Sequence, residues 1–397
     1  MIKKLLALFL TIFMLFSICS CAESGEELAR DNFDVNSDKV MADGLAELYD
    51  RLEGVYEDQD DLIELGGQNT IPLVEFDDAV YLSIGEFDFY TRYLYYIMVE
   101  IKSSAISNAL LYGINAKNDD AFWNSLEIDT YKTKREVALE KSKTAARYAA
   151  ISNAIMKDYG FVESDSYQLS YENLLVMYGN KQAINDHYCA YGLGDDYILP
   201  YLKQYSAYSE FREFMVGVDG ELYPTDEQAK EFFRDKCIYM EQIVFNYTYT
   251  DENGYCYKKS DAEIADARRR GEEVYASIKE DPRMFDRNMH LTEHPEWSEN
   301  AYGYTYIPND IIPELEDAYF KLKPGEIVAV DTPLGYYILR ALEKTDKAYE
   351  DSNSRIIDGY REMAFAELMN QHMDKLNINN DEFNRYDFKD ILVFTNN

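Results

Sequence analysis

The chain has 397 residues, 47% of them hydrophobic, which is enough for two or three domains with real cores. Its 74 acidic against 39 basic residues give a formal net charge of −35. That balance argues against nucleic acid as a partner, because phosphate binding needs concentrated Lys and Arg, and acid spread along the chain suits a solvated surface.

Lys3 and Lys4 precede an apolar run, Leu5 to Ile18, with the length of a signal-peptide core and too short to span a bilayer. The run ends Ile18-Cys19-Ser20-Cys21, which resembles a bacterial lipobox with Cys21 as the lipidated residue; an ordinary secretory signal cleaved nearby is the other reading. A lipobox implies that residues 1–20 are a lipoprotein signal peptide. The mature protein would then be anchored on the extracytoplasmic face of the cell membrane, since two acyl chains suffice for stable attachment. Cys189, Cys237 and Cys256 remain, and their spacing fits neither a zinc site nor a disulfide framework. They read as small buried side chains, with a Cys237 to Cys256 bridge left open.

Residues 21–70 are acidic and read as a tether, with one possible helix where Leu45, Leu48, Leu52 and Val55 keep helical spacing. From Val74 to Tyr90 an extended stretch meets a helix near Ser83, and Ser83 and Glu86 have capping-box spacing. Gly85 to Gly217 is helix-dominated. Val137, Ala138, Ala145, Tyr148, Ala149, Ile151 and Ile155 lie on helical spacing with Gly160 as a stop, and further helices are expected around Tyr171 to Met177 and Tyr197 to Met215. Tyr90, Tyr93, Tyr95 and Tyr96, and Tyr197, Tyr201, Tyr205 and Tyr208, form tyrosine clusters. These read either as half-buried core or as amphipathic contact area for binding unfolded chains.

At Gly220 to Asp226 the composition shifts, and seven of the nine prolines lie from Pro224 onward. A connecting helix through Phe233 is expected, then a strand from Ile238 to Tyr249 with Ile238, Met240, Gln242 and Val244 on one face. Ser260 and Glu263 form a capping box ahead of a helix through Ile264, Ala267, Val274, Tyr275 and Ile278. In IIPELEDAYFKLKPGEIVAVDTPLGYYILRAL, residues Ile311 to Leu342, the stripe Leu315, Ala318, Tyr319 and Leu322 marks a short helix. Pro313 fits its first turn and Gly325 its end; strands at Ile327 to Val330 and Tyr336 to Leu342 follow, joined by a Pro-Leu-Gly turn. A last amphipathic helix is expected from Arg355 to Leu376. The order of elements places a mainly helical domain (71–235) before a smaller one with a few-stranded antiparallel sheet flanked by helices (236–345), an α+β chain ending in a helix within 346–397.

Leu322, Gly325, Glu326, Ile327, Gly335, Tyr336 and Ile338 resemble the closing "LxxGE(I/V)S" and "GYHII" motifs of parvulin-type (PpiC-type) peptidyl-prolyl isomerase domains. With the signal, the SurA-like strand-to-helix entry and the C-terminal helix, the chain resembles the PrsA/SurA-type extracytoplasmic foldase lipoproteins. The resemblance implies that the last helix packs on the helical domain. It also implies a proline pocket floored by two histidines, and here Gln242 and Tyr337 stand at those two positions. Ile311 and Leu315 stand where the family has Met and Phe. Ile311, Leu315, and Tyr304 or Tyr306 would form the apolar wall of a substrate-binding pocket. Gln242 needs a partner for its amide, and Tyr337 is placed to be it.

Amide and phenol can hydrogen-bond but cannot titrate near neutral pH as imidazole does, so no catalytic residue is assigned. The leading expectation is a chaperone that holds unfolded or newly secreted, proline-containing polypeptides, with weak or no isomerase activity. The alternatives are an active isomerase and, more distantly, a solute-binding or adhesive lipoprotein. Isomerisation requires no cofactor. His290 to His294 fits the zinc pattern H-x-x-E-H, but the neighbouring Pro282 and Pro295 disfavour the helix that pattern needs, so a solvent-exposed loop without metal is expected.

Overall fold

The computed structural model describes residues 71–76, 79–84, 89–111, 114, 116–127, 130–189, 191, 198–293, 303–378, 388 and 391–393. The signal run, Cys21, the tether, Tyr197 and His294 lie outside them. Strands β1 (Ile71–Phe76) and β2 (Ala79–Ile84) form an antiparallel hairpin, where the sequence reading expected a single extended stretch. Ser83 therefore sits in β2 rather than capping a helix, and α1 starts later, spanning Phe89–Leu111.

A short α2 (Asp120–Asn124) leads to α3 (Lys134–Ile155), which opens on a reciprocal capping box between Thr133 and Glu136. Then come α4 (Ser166–Tyr178), α5 (Lys181–Cys189) and α6 (Ile198–Val216). Ala138, Ile97, Tyr96, Tyr171, Ile184 and Tyr201 pack in one core among these helices. A fully buried lysine, Lys102, donates from Nζ to the carbonyls of Phe388 at 2.9 Å and Ile391 at 2.6 Å, which ties the C-terminal segment into that core.

A second capping box, Thr225 with Gln228, opens α7 (Asp226–Asp235). It is followed by β3 (Ile238–Asn246), a small hairpin of β4 (Thr248–Thr250) and β5 (Cys256–Lys258), α8 (Asp261–Glu280) behind the expected Ser260 and Glu263 box, and α9 (Met284–Asn288). Then come β6 (Tyr304–Tyr306), α10 (Pro313–Tyr319), β7 (Ile327–Asp331) and β8 (Gly335–Ala341). β3, β6, β7 and β8 make an antiparallel sheet in the order β6-β3-β8-β7.

Alternation along β3 divides this sheet into two faces. Ile238, Met240 and Val244 turn towards α10 with Leu315, Tyr319 and Leu339, while Ile243 and Phe245 turn towards α8 and α9 with Ala267, Ile278 and Phe285. The hairpin β4–β5 reaches the helical region: the Leu126 N–H donates to the Cys256 carbonyl at 2.9 Å, and the Phe122 and Tyr255 rings meet edge-on at 5.6 Å. After β8 come α11 (Asp346–Asp351), α12 (Asn353–Asn370) and β9 (Leu376–Ile378), which pairs with β1. α12 stops six residues before the expected Leu376. Its Phe365, Leu368 and Met369 pack against Ile151, Phe211 and Met215 of α3 and α6, and Arg212 pairs with Glu362 across the same contact.

No disulfide joins Cys237 to Cys256. Among the described cysteines Cys237 is buried in a core, Cys256 is half-buried and Cys189 is exposed rather than buried.

Candidate functional site

The pocket predicted at Ile311 to Leu342 is built on the α10 face of the sheet. The register pairs Gln242 with Leu339 and Val244 with Tyr337, so Gln242 and Tyr337 are diagonal neighbours on one face. Pro313 at the start of α10 costs no hydrogen bond there, and Glu314 and Glu316 occupy the turn where the helix dipole favours anions. The Tyr239 N–H donates to the Tyr319 hydroxyl at 3.0 Å, pinning the end of α10 to β3. Tyr131 of the helical region donates to the Glu314 carboxylate at 2.6 Å, which fixes the other end.

Two glycines shape the approach. Gly325 has φ +85, a left-handed conformation, and its N–H donates to the Ala341 carbonyl at 2.8 Å, turning the chain from α10 into β7. At Gly335 a Cβ would lie 2.9 Å from the Phe245 carbonyl, so the strand pair closes there only without a side chain.

All the predicted site residues meet on this face, but they do not enclose an open cleft. Gln242, Leu315 and Tyr337 are 5%, 3% and 6% exposed, packed among Leu334, Leu339 and Ile312. Tyr304, Tyr306 and Ile311 are half-buried at the rim. The Gln242 amide does not use Tyr337. Its Nε2 donates to the Tyr306 hydroxyl at 3.1 Å, because the edge strand β6, too short to be read from sequence, lays Tyr304 and Tyr306 beside Ile238 and Met240 on the same face. Among the described residues the carbonyl oxygen Oε1 of Gln242 has no hydrogen-bond partner. Amide, phenol and apolar side chains can position a peptide here, but none can hold or release a proton as imidazole does.

On the opposite face the Glu241 carboxylate, 7% exposed, is held by Arg340, whose Nε lies 2.7 Å from it. Arg340 also reaches Asp286 at 2.7 Å and covers the Phe285 ring at 4.3 Å, stapling α9 to the sheet. The H-x-x-E-H stretch is otherwise engaged. Met289–Leu291 make one 3-10 turn with His290 exposed, and Glu293 accepts from the Asn246 N–H at 3.0 Å and pairs with Lys259 at 3.2 Å and Arg270 at 2.7 Å.

A cavity of about 140 Å³ lies elsewhere, between α1, α3 and α6. Tyr201, Tyr205 and Tyr208 from one of the predicted tyrosine clusters line it, with Ile97, Ile101 and Ala138. Inside sits Glu100, 6% exposed, accepting from the Tyr201 hydroxyl at 2.7 Å and hydrogen-bonded to Tyr96. Burial pushes its carboxyl up to about 8, against the opposing pull of those two phenols. Sequence reasoning missed Glu100 among 74 acids. The available signal was its place on the apolar stripe of α1, three residues from Ile97 and four from Tyr96.

Among the described residues no cluster of three or more His, Cys, Asp or Glu could hold a metal, and no helix is long and apolar enough to cross a membrane.

No family model matches the sequence, and no curated protein matches it either. Solved structures do return similarities. The peptidylprolyl isomerase PrsA of Bacillus anthracis is 19% identical at a TM-score of 0.32, covering 57% of this chain and 94% of its own. PrsA of Bacillus subtilis is 20% identical at 0.22, covering 67% of this chain and 100% of its own. The foldase protein PrsA of Streptococcus pneumoniae is 15% identical at 0.25, covering 65% and 94%. Superpositions this loose leave the functional reading to the chain's own residues.

Proposed function

We propose that this chain is an extracytoplasmic folding factor that holds unfolded secreted proteins through its helical region (71–235), and that its isomerase-like region (236–345) has weak or no prolyl isomerase activity. One observation carries the reading. The two positions that match the parvulin histidines, Gln242 and Tyr337, lie together on the sheet face under α10, in a β3-β4-β5-α8-α9-β6-α10-β7-β8 order, yet both are buried and neither is an imidazole. Rotation about an X-Pro amide faces a barrier of roughly 18–20 kcal/mol, and catalysis needs a pocket that favours the twisted amide over the planar one. Leu315 and Tyr337 are buried together in the core under α10, which supports a face without an open proline pocket.

The tyrosine-lined helices supply contact area of the kind an unfolded chain can use. In this reading Cys21 carries the lipid that keeps the protein at the membrane, and residues 346–397 return to the helical region. Two assays on the full chain test the proposal. Light scattering should show a substoichiometric-to-stoichiometric suppression of aggregation of a reduced unfolded client. A protease-coupled cis/trans assay on a proline peptide should give the rate of buffer alone. A rate tenfold above buffer would overturn the inactive assignment, and unsuppressed aggregation would overturn the holding role. Mass spectrometry of the membrane fraction should find Cys21 acylated, and Cys21→Ser should release the protein.

A further inference from the structure

Glu100 is a buried carboxyl that links Tyr96 of α1 to Tyr201 of α6 and also faces the cavity. An apolar side chain at that point of α1 would pack against Ile97 and Tyr201 without the cost of desolvating an acid. Two phenols, Tyr96 and Tyr201, hydrogen-bond it, and a carboxylate offers about four acceptor sites, so acceptor capacity is left over in a residue that lines the cavity. Tyr201 and Tyr205, stacked at 20° with centroids 6.1 Å apart, both line the cavity, and aromatic rings attract cations. The volume of about 140 Å³ equals roughly four to five waters, the size of a four- to six-atom stem.

From this arrangement we infer that the cavity between α1, α3 and α6 is a binding site for a primary ammonium on a short apolar stem, with Glu100 receiving the charge and the Tyr201 and Tyr205 rings the stem. The side chain of a lysine in an unfolded client has this form. For that natural ligand, though not for the site, the inference rests on the client-holding reading.

The charged and titratable groups around Glu100 set the stoichiometry. Tyr96 and Tyr201 act on it directly, its charge acts on Tyr188, and the same cavity is lined by Lys134, paired with Glu127 at 3.2 Å, and by the exposed Lys141. With burial raising the carboxyl to about 8, its acid form predominates at pH 7, so entry of an ammonium expels its proton. The acid O–H bond breaks, the proton leaves to solvent, and the carboxylate that remains pairs with the ammonium.

Isothermal titration of the full chain with n-butylammonium tests this, with n-butanol as the uncharged control. One saturable site is expected. At pH 7 nearly one proton per ligand should be released, read from heats in two buffers of different ionisation enthalpy, and affinity should be about tenfold tighter at pH 9 than at pH 7. Glu100→Gln should weaken butylammonium at least tenfold and abolish proton release. Ala105→Phe, which fills the cavity and leaves Glu100 in place, should remove binding; its circular dichroism and melting curve check that it folds, so the test stands even where Glu100→Gln does not fold. Butanol binding as tightly as butylammonium, unchanged binding in Glu100→Gln, or no saturable binding would overturn the site. If butylammonium binds but does not compete with a lysine-rich unfolded client in light scattering, the assignment of client lysine as ligand falls while the ammonium site stands. If aggregation suppression is itself absent, the client-holding reading falls, and the proton-release result still decides the site.

Discussion

Gln242 and Glu100 are both polar groups buried among apolar side chains, at 5% and 6% exposure, yet their surroundings differ in kind. Gln242 lies under a short helix whose Leu315 and Ile312 close over the sheet, and its one described hydrogen bond goes to Tyr306 within the same small core. Glu100 lies between three long helices that leave a cavity, and its phenol partners come from α1 and α6. A strand pair with a helix laid across it fills its interior with one layer of side chains. Three helices joined by long connections pack less completely where tyrosines hold them apart. The region whose motifs point to a binding pocket is packed, and the region whose tyrosines read equally well as core keeps the space.

The comparison can be broken most forcefully at Leu315. Leu315→Ala should cost roughly 2–5 kcal/mol if the α10 face is packed as a core, read from urea denaturation of the full chain. A loss below about 1 kcal/mol would mean that the face is a cleft after all. Next, Arg340→Met strands the nearly buried Glu241 carboxylate and should cost about 3 kcal/mol, at the lower end for a broken buried pair because Arg340 keeps contact with water.

The cavity side is tested by pH. Glu100 has its folded value raised to about 8 above the ordinary carboxyl range, so the folded state holds a proton that the unfolded state has lost. Its contribution is fully present below about pH 4.5 and declines as pH rises towards 8, by at most about 1.4 kcal/mol per pH unit. The difference in stability between the protein and its Glu100→Gln variant should therefore shift in favour of the variant across that window, and a flat difference would show that Glu100 is solvated. The smallest effect is expected at Gln242. Gln242→Leu removes an unpartnered buried oxygen together with one hydrogen bond, so stability should change by less than about 1 kcal/mol and isomerase activity not at all.

Legibility followed the range of the interactions involved. The helices α3, α6, α8 and α10 were readable because capping boxes, the proline at the start of α10 and three-to-four spacing are local signals, and β7 and β8 because Gly325 precedes the first and Gly335 opens the second. The short pieces were not. The three-residue β6 has too few residues to show alternation, the β1–β2 hairpin looked like one extended stretch, and α12 keeps an amphipathic pattern past the point where it ends. For the site, the face of β3 follows from alternation and the position of Tyr337 from the motif resemblance, and the register makes Gln242 and Tyr337 diagonal neighbours. The partner of Gln242 follows from neither, because Tyr306 reaches it only once β6 pairs with β3. The cavity was invisible for the same reason on a larger scale: Glu100, Ala138 and Tyr201 are 38 to 101 residues apart and meet only in the folded bundle.

The claim that the helical region holds clients while the packed sheet does not is tested most directly by hydrogen exchange of the full chain with and without a reduced, permanently unfolded client. Added protection is predicted in peptides from α1, α3 and α6 that line the Glu100 cavity, with β3, α10 and β8 unchanged. Protection confined to β3, α10 and β8 would contradict it.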